Sequence, residues 1–230
     1  MEHVENRNVA AATAPKASTI LEDCIAAGSV RRISSKEHLF LDGDQQSHVY
    51  LLEAGTILLY KILPDGKRQV VDIAFPGDVV GLGLSGNHSF NAQATEPTRV
   101  RCLPVAALHQ LAQRNPQLSL KLYEVLAQEL SAARQHLLTI STRDAGARVA
   151  SFLMALMHRN EQRGHSVSEL VLPMRRADIG DFLGLTIETV SRTFSRLKAD
   201  GIIDVDHGGY VEILDTAALG AVAEGQLELA

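Results

Sequence analysis

The sequence predicts an α+β chain: a β-sandwich or barrel first, a long helix in the middle, and a winged pair of short helices at the end. Three observations carry this. Turn glycines at Gly43, Gly55, Gly66 and Gly77 recur every 11 or 12 residues between short β-branched and aliphatic runs. Behind Asn115-Pro116, apolar residues recur at three- and four-residue steps for about 25 residues. Finally, two short segments with one apolar face each flank Gly184-Leu185, and a glycine-centred hairpin follows them. The chain has 230 residues, 46% apolar and 21% charged, enough for a real core and for one large or two small domains. Its formal charge of −5 excludes a strongly basic nucleic-acid-coating protein. A local basic patch is still allowed, because the field is set locally. No window resembles a membrane span of roughly 20 residues. The N-terminus carries Glu2 and Glu5 and has no apolar stretch behind basic residues, so a cytoplasmic protein is expected. Cys24 and Cys102 are too few and too far apart for a disulfide framework or a single-chain zinc or iron–sulfur site.

Taken in order, residues 1–25 are expected as a flexible tail and short helix. Residues 26–114 form the β domain, with strands over 48–52, 56–60, 69–73 and 98–103. Asp65-Gly66 is a hairpin signal. Val100 and Cys102 fall on one face of the last strand. A short helix is expected over 104–114. Asn115-Pro116 then starts the long helix of 115–141, with an N-cap followed by Pro at the first helical position. Its seam is Leu122, Val125, Leu126, Leu130, Ala133, Leu137 and Ile140, preceded by Leu118. Such a seam packs either on its own β domain or against a second subunit as a coiled coil. Ser141-Thr-Arg-Asp144 has the form of a capping box. It opens a region over 142–214, whose first helix turns Val149, Phe152, Leu153, Leu156 and Met157 inward. A polar loop and a short strand over 170–173 follow it. Residues 215–230 are expected as a C-terminal tail.

The informative stretch runs over 175–211. Ile179, Phe182 and Leu183 share one helical face, Gly184-Leu185 breaks it, and Thr186 caps a second helix with Val190, Phe194 and Leu197 inward. Two short β runs around Asp206-His-Gly-Gly209 then read as a wing. With that face inward, Glu188, Ser191 and Arg192 lie on one exposed stripe near the start of the second helix. In a helix-turn-helix that end meets base edges in the major groove. Arg can bond guanine bidentately, Glu can accept from cytosine, and Ser can meet several edges. Residues 174–199 carry five basic and three acidic side chains, against the acidic balance of the whole chain. Arg175, Arg176, Thr186, Thr189, Arg196 and Lys198 flank the stripe and suit phosphate contacts. The competing reading is a solvated helical pair with scattered charges; cap, turn and wing together argue against it.

The run Asp178-Ile-Gly-Asp-Phe-Leu-Gly-Leu-Thr-Ile-Glu-Thr-Val-Ser-Arg192 resembles the helix-turn-helix signature of the cyclic-AMP receptor protein/FNR superfamily of bacterial regulators. The likeness spans nearly the whole chain. The glycine-spaced segment resembles the family's jelly-roll, cyclic-nucleotide-binding-like sensor domain, and Phe75-Pro-Gly-Asp78 its characteristic loop. The long helix resembles its dimerisation helix. The resemblance implies a homodimeric transcription regulator, mainly an activator, with double-stranded DNA and RNA polymerase as partners. Ile187-Glu-Thr-Val-Ser-Arg192 is similar to the FNR branch and implies a TTGA…TCAA inverted repeat. Asp65, Gly66 and Lys67 match the position of a loop that touches RNA polymerase, with Gly66 alone a clear match.

The effector site departs from the family. Where cyclic-nucleotide binders carry a Gly-Glu-Leu cassette and an Arg-Ser pair, this chain reads Gly81-Leu-Gly-Leu84 and Phe90-Asn91. Phe90 cannot neutralise a buried phosphate. Two cysteines cannot supply a four-cysteine cluster, so no cofactor is expected. The chain therefore looks closest to the cluster-free FixK-type branch, which controls genes for low oxygen, anaerobic respiration or nitrogen fixation. The alternative is a haem- or small-ligand-gated gas sensor of the same superfamily, for which His88 and His136 are candidates. No nucleophile elbow or phosphate-cradling loop is present, so an enzyme is not expected.

Overall fold

A computed structural model describes residues 19–83, 86–206 and 208–229. The expected tail before Thr19, Leu84 of the glycine-rich stretch and His207 of the wing turn lie outside the described residues. The chain parts into two compact units between Ser131 and Ala132, inside the long helix.

Among the described residues, the N-terminal unit opens with α1 (Thr19–Ala26) and holds eight strands: β1 (Ser29–Ile33), β2 (His38–Phe40), β3 (His48–Ala54), β4 (Ile57–Ile62), β5 (Arg68–Ala74), β6 (Val79–Val80), β7 (Asn91–Ala94) and β8 (Thr98–Pro104). They form two antiparallel four-stranded sheets, ordered β1-β8-β3-β6 and β2-β7-β4-β5. One core lies between the sheets and takes Tyr50 and Leu52, Ile57, Ala92, and Val100 with Cys102. This double-sheet arrangement is that of a jelly roll. Burial pushes the Cys102 thiol up, away from reactivity. The four turn glycines have φ between +82° and +90°.

Strand β3 is apolar on both faces, and the structure shows why. Tyr50 and Leu52 enter the sandwich, whereas Val49 and Leu51 point the other way. That outer face is covered by Leu21 and Ile25 of α1, Leu108 of α2 (Val105–Arg114), and Leu118 and Val125 of α3 (Pro116–Thr142). Helix α3 starts as its sequence dictates, with Asn115 Oδ1 accepting from the N–H groups of Gln117 at 3.1 Å and Leu118 at 3.3 Å. One expectation is corrected here. Val125 is 3% exposed inside this second core, so it does not face outward, whereas Leu122 is only partly buried against the same core. The single seam read from the sequence is two seams, because one helix covers a sheet and leaves another apolar stripe in water. That stripe includes Tyr123, Leu126, Leu130 and Leu137, each at least 41% exposed.

Glu129 of α3 is partly buried. Burial, reinforced by the carboxylates of Asp72 and Asp78, pushes it up to about 7. Its folded value thus lies above its unfolded one, so its contribution is most favourable below pH 4.5 and is lost as pH rises through 7. Glu129→Gln is therefore expected to stabilise the chain at pH 8 by on the order of 1 kcal/mol, and hardly at pH 4.5. Urea unfolding at both pH values checks this; an equal difference at both would remove the charge from the explanation.

The C-terminal unit holds the end of α3, then α4 (Ala145–Gln162), β9 (Glu169–Val171), α5 (Arg176–Leu183), α6 (Ile187–Ala199), β10 (Ile203–Val205), β11 (Tyr210–Ile213) and α7 (Thr216–Ala223). The α4 cap is Asp144, whose Oδ1 accepts from Ala147 N–H at 2.8 Å. Ser141 is not a cap: α3 continues past it, and its hydroxyl donates to Leu138 O. Val149, Phe152, Leu153, Leu156 and Met157 are buried, and Phe182 stacks on His136 with ring centroids 4.2 Å apart. The wing is a three-stranded sheet, β10-β11-β9. The expected C-terminal tail is corrected to a helix, α7. Asp215 caps it, and Leu219, Val222 and Ala223 are buried in this unit.

Candidate nucleic-acid interface

The turn between α5 and α6 is built by two glycines. Gly184 ends α5 in the left-handed region with φ +65°. Gly180 lies against the turn, where an added Cβ would sit 2.7 Å from Leu185 O. Gly180 O also accepts from Leu185 N–H at 2.9 Å. Any side chain at Gly180 would push the two helices apart. At the other end of α5, Asp178 is 2% exposed, and its Oδ2 accepts from Arg175 N–H at 2.9 Å. Thr186 Oγ1 caps α6 by accepting from Thr189 N–H at 3.2 Å. Val190, Phe194 and Leu197 anchor α6 inward.

The opposite face of α6 is in solvent. Glu188, Ser191 and Arg192 are all exposed on it. The Glu188 carboxyl is held below its usual range by its own backbone N–H first, then by the Thr186 hydroxyl and the charge of Arg192. It is therefore an ionised acceptor near neutral pH. Arg192 Nη2 reaches Thr189 Oγ1 at 3.4 Å. A donor fork and a carboxylate thus stand one helical turn apart, the pair needed to read a guanine and a cytosine edge.

The flanking basic residues are not equivalent. Arg175 is exposed and pairs with Asp178 at 3.3 Å. Arg176 is partly buried, and its guanidinium lies 3.4 Å from the Phe194 ring centroid. Burial lowers its pKa from the ordinary value, but an arginine remains charged. It is a packed cation, less free for phosphate than the sequence implied. Lys198 is tied to the wing, with Nζ 2.6 Å from Asp204 Oδ1 and donating to Val205 O at 3.1 Å. Thr186 and Arg196 are exposed and Thr189 is partly so. Sequence reasoning missed Arg148 of α4, which donates to Leu183 O at 3.1 Å and holds the last turn of α5. No local signal marks it, because the carbonyl it serves is 35 positions away.

In the N-terminal unit, Asp65, Gly66 and Lys67 form the exposed tip of the β4–β5 hairpin, with Lys67 Nζ 3.1 Å from Asp65 Oδ2. Phe90 is 36% exposed, with Lys61 Nζ 5.9 Å from its ring centroid. The two histidines weighed as haem ligands are both packed face to face on an aromatic ring. His88 lies on Phe40 at 3.5 Å between centroids and His136 on Phe182. Burial lowers the pKa of each. Among the described residues, no group of three or more His, Cys, Asp or Glu is placed to hold a metal ion. Among them, too, no helix is long and apolar enough to cross a membrane.

Comparison with known proteins places this geometry in context. A Crp-like helix-turn-helix domain model matches residues 147–222, and a cyclic nucleotide-binding domain model matches residues 30–115. The chain is 41% identical over 190 residues to the nitrogen fixation regulation protein FixK of Bradyrhizobium diazoefficiens, covering 83% of this chain and 80% of that protein. It is 36% identical over 200 residues to the transcriptional activator protein Anr of Pseudomonas aeruginosa, covering 86% and 82%. The structure of FixK2 from Bradyrhizobium japonicum superposes with a TM-score of 0.80 at 31% identity, covering 89% of this chain and all of that one.

Proposed function

The chain belongs to the cyclic-AMP receptor protein/FNR superfamily and is FixK-like, and from that premise we propose that it works as a homodimer reading a TTGA…TCAA inverted repeat. That it is a DNA-binding transcription regulator rather than an enzyme follows from the family itself. The finer reading rests on one observation above the others. Glu188, Ser191 and Arg192 form a solvent-exposed stripe at the start of a helix whose opposite face is locked into a core. The stripe offers one acceptor, one hydroxyl and one bidentate donor per half-site. Two-fold symmetry suits an inverted repeat, and the exposed stripe of α3 supplies a face for the second subunit.

We assign the protein a mainly activating role in the cytoplasm, on genes for low oxygen, anaerobic respiration or nitrogen fixation. Support comes from its likeness to a FixK protein and to an activator. Arg175, Thr186 and Arg196 are assigned to phosphate, and Asp65, Gly66 and Lys67 to RNA polymerase. The deciding experiment is binding of the purified protein to a TTGA…TCAA duplex and to a scrambled duplex, in air, at fixed salt and without effector. The expected result is a preference of about 1,000-fold or more for the repeat. Equal affinity for both would refute the recognition code.

A further inference from the structure

We propose that the C-terminal segment over 224–229 is an intramolecular cover that competes with DNA for the arginines of α6. This rests on α6 being the DNA-facing helix. The sequence builds the cover simply. Helix α7 ends at Ala223, and Gly225 adopts φ +74°. Its N–H donates to Val222 O at 3.0 Å, and Gln226 N–H donates to Ala221 O at 2.8 Å. That pair of bonds reverses the chain sharply, as only a residue free to be left-handed allows. The chain then returns to the start of α4, where a Cβ placed on Gly146 would lie 3.3 Å from Leu229 Cδ1.

The result is a cavity of about 370 Å³ whose walls include Arg192 and Arg196 of α6, Asp144 and Gly146 at the head of α4, and Glu228 and Leu229 of the returning chain. Two arginines on one wall make a locally cationic surface that attracts the polyanionic duplex, although the Asp144 carboxylate that caps α4 already lines the same cavity. Glu228 brings a carboxylate to that same surface. From residue 215 onward the sequence contains no Lys or Arg, so the returning segment is wholly acidic in its charge. Leu229 is partly buried while Glu228 beside it is exposed, so the segment is seated by its apolar residue. A duplex approaching Arg192 and Arg196 meets the Glu228 carboxylate on the same cavity wall, and its charge opposes the approach of phosphate and lowers affinity.

Two variants and one reporter test this. Deleting residues 226–230, and separately Glu228→Lys, is expected to raise affinity for the TTGA…TCAA duplex about three- to tenfold at low salt. The gain should shrink as salt rises. Affinities unchanged in both variants, or weakened by the deletion, would overturn the proposal. The chain contains no tryptophan, so Leu229→Trp installs a single reporter. Its emission is expected to be blue-shifted in the free protein and to move to the red when duplex is added. The emission of a water-exposed indole in the free protein overturns the docking, whatever the DNA result. A protein silent toward DNA with its tail and active without it supports the cover. One silent in both forms refutes the cover and the proposed function together, whereas equal affinity of every form for repeat and scrambled duplex refutes the recognition code alone.

Discussion

Leu126→Arg is expected to convert the proposed dimer to a monomer and to lower affinity for the proposed inverted repeat by about 100-fold or more. Tyr123, Leu126, Leu130, Ala133, Leu137 and Ile140 follow one another at alternating steps of three and four, the heptad spacing of a coiled-coil seam. Four of them are large and strongly exposed in the single chain: Tyr123 at 70%, Leu126 at 41%, Leu130 at 52% and Leu137 at 61%. In a parallel pair about a two-fold axis, each such position meets its own copy. Two arginines would then face one another in an apolar seam. An uncompensated buried charge costs about 3–5 kcal/mol, enough to part the helices at micromolar concentration. Once parted, the two recognition helices are no longer held about 34 Å apart, and each half-site is bound alone. Leu126 belongs to neither core of its own unit, so the monomer should remain folded. Val125→Arg is the contrast: Val125 is 3% exposed in the core over β3, and the same charge there should unfold the N-terminal unit. Sedimentation and duplex binding of both variants check the pair. A Leu126→Arg protein that still sediments as a dimer would move the interface elsewhere.

That contrast also shows what could be read from the sequence. The helix-turn-helix was legible because its determinants are local: the Thr186 cap, Gly184, and inward residues at helical spacing. The long helix was legible as a helix, but its partners were not. Periodicity reports that Val125 and Leu126 are both apolar; it cannot say that one faces a sheet and the other faces water. Strands β1 and β6 escaped notice for a different reason. Of Ser29-Val-Arg-Arg-Ile33 only Ile33 is buried, so the strand shows no alternation, and β6 is two residues long. Helix α7 was overlooked because alanines and Gly220 dilute its pattern, although the Asp215 cap and Leu219, Val222 and Ala223 at helical spacing were present. Among the site residues, exposure of Glu188, Ser191 and Arg192 followed from their face of α6. The stacking of Arg176 on Phe194 and the tether of Lys198 to Asp204 did not, since each depends on a neighbour that only the folded chain brings close.

Arg192→Ala is expected to remove most of the preference for the inverted repeat while leaving sequence-independent binding in place. A bidentate arginine–guanine pair contributes about 1–3 kcal/mol of discrimination, and two-fold symmetry doubles the loss, for a fall in specificity of about 100-fold or more. Sequence-independent affinity comes from phosphate neutralisation and depends on salt, so it should change little, and the slope of affinity against salt should be nearly that of the parent. Arg175→Ala should behave in the opposite way. Its side chain is 72% exposed at the head of α5 and is not one of the three stripe residues. Its loss should weaken binding to repeat and scrambled duplex alike and reduce the salt slope by about one per half-site. Arg192→Lys separates geometry from charge: it keeps the cation but loses the planar fork, so specificity should fall nearly as far as with Ala. If Arg192→Ala instead lowers affinity for both duplexes equally and flattens the salt dependence, Arg192 contacts phosphate. The reading of bases would then have to come from Glu188 and Ser191 alone, with a weaker preference than the repeat requires.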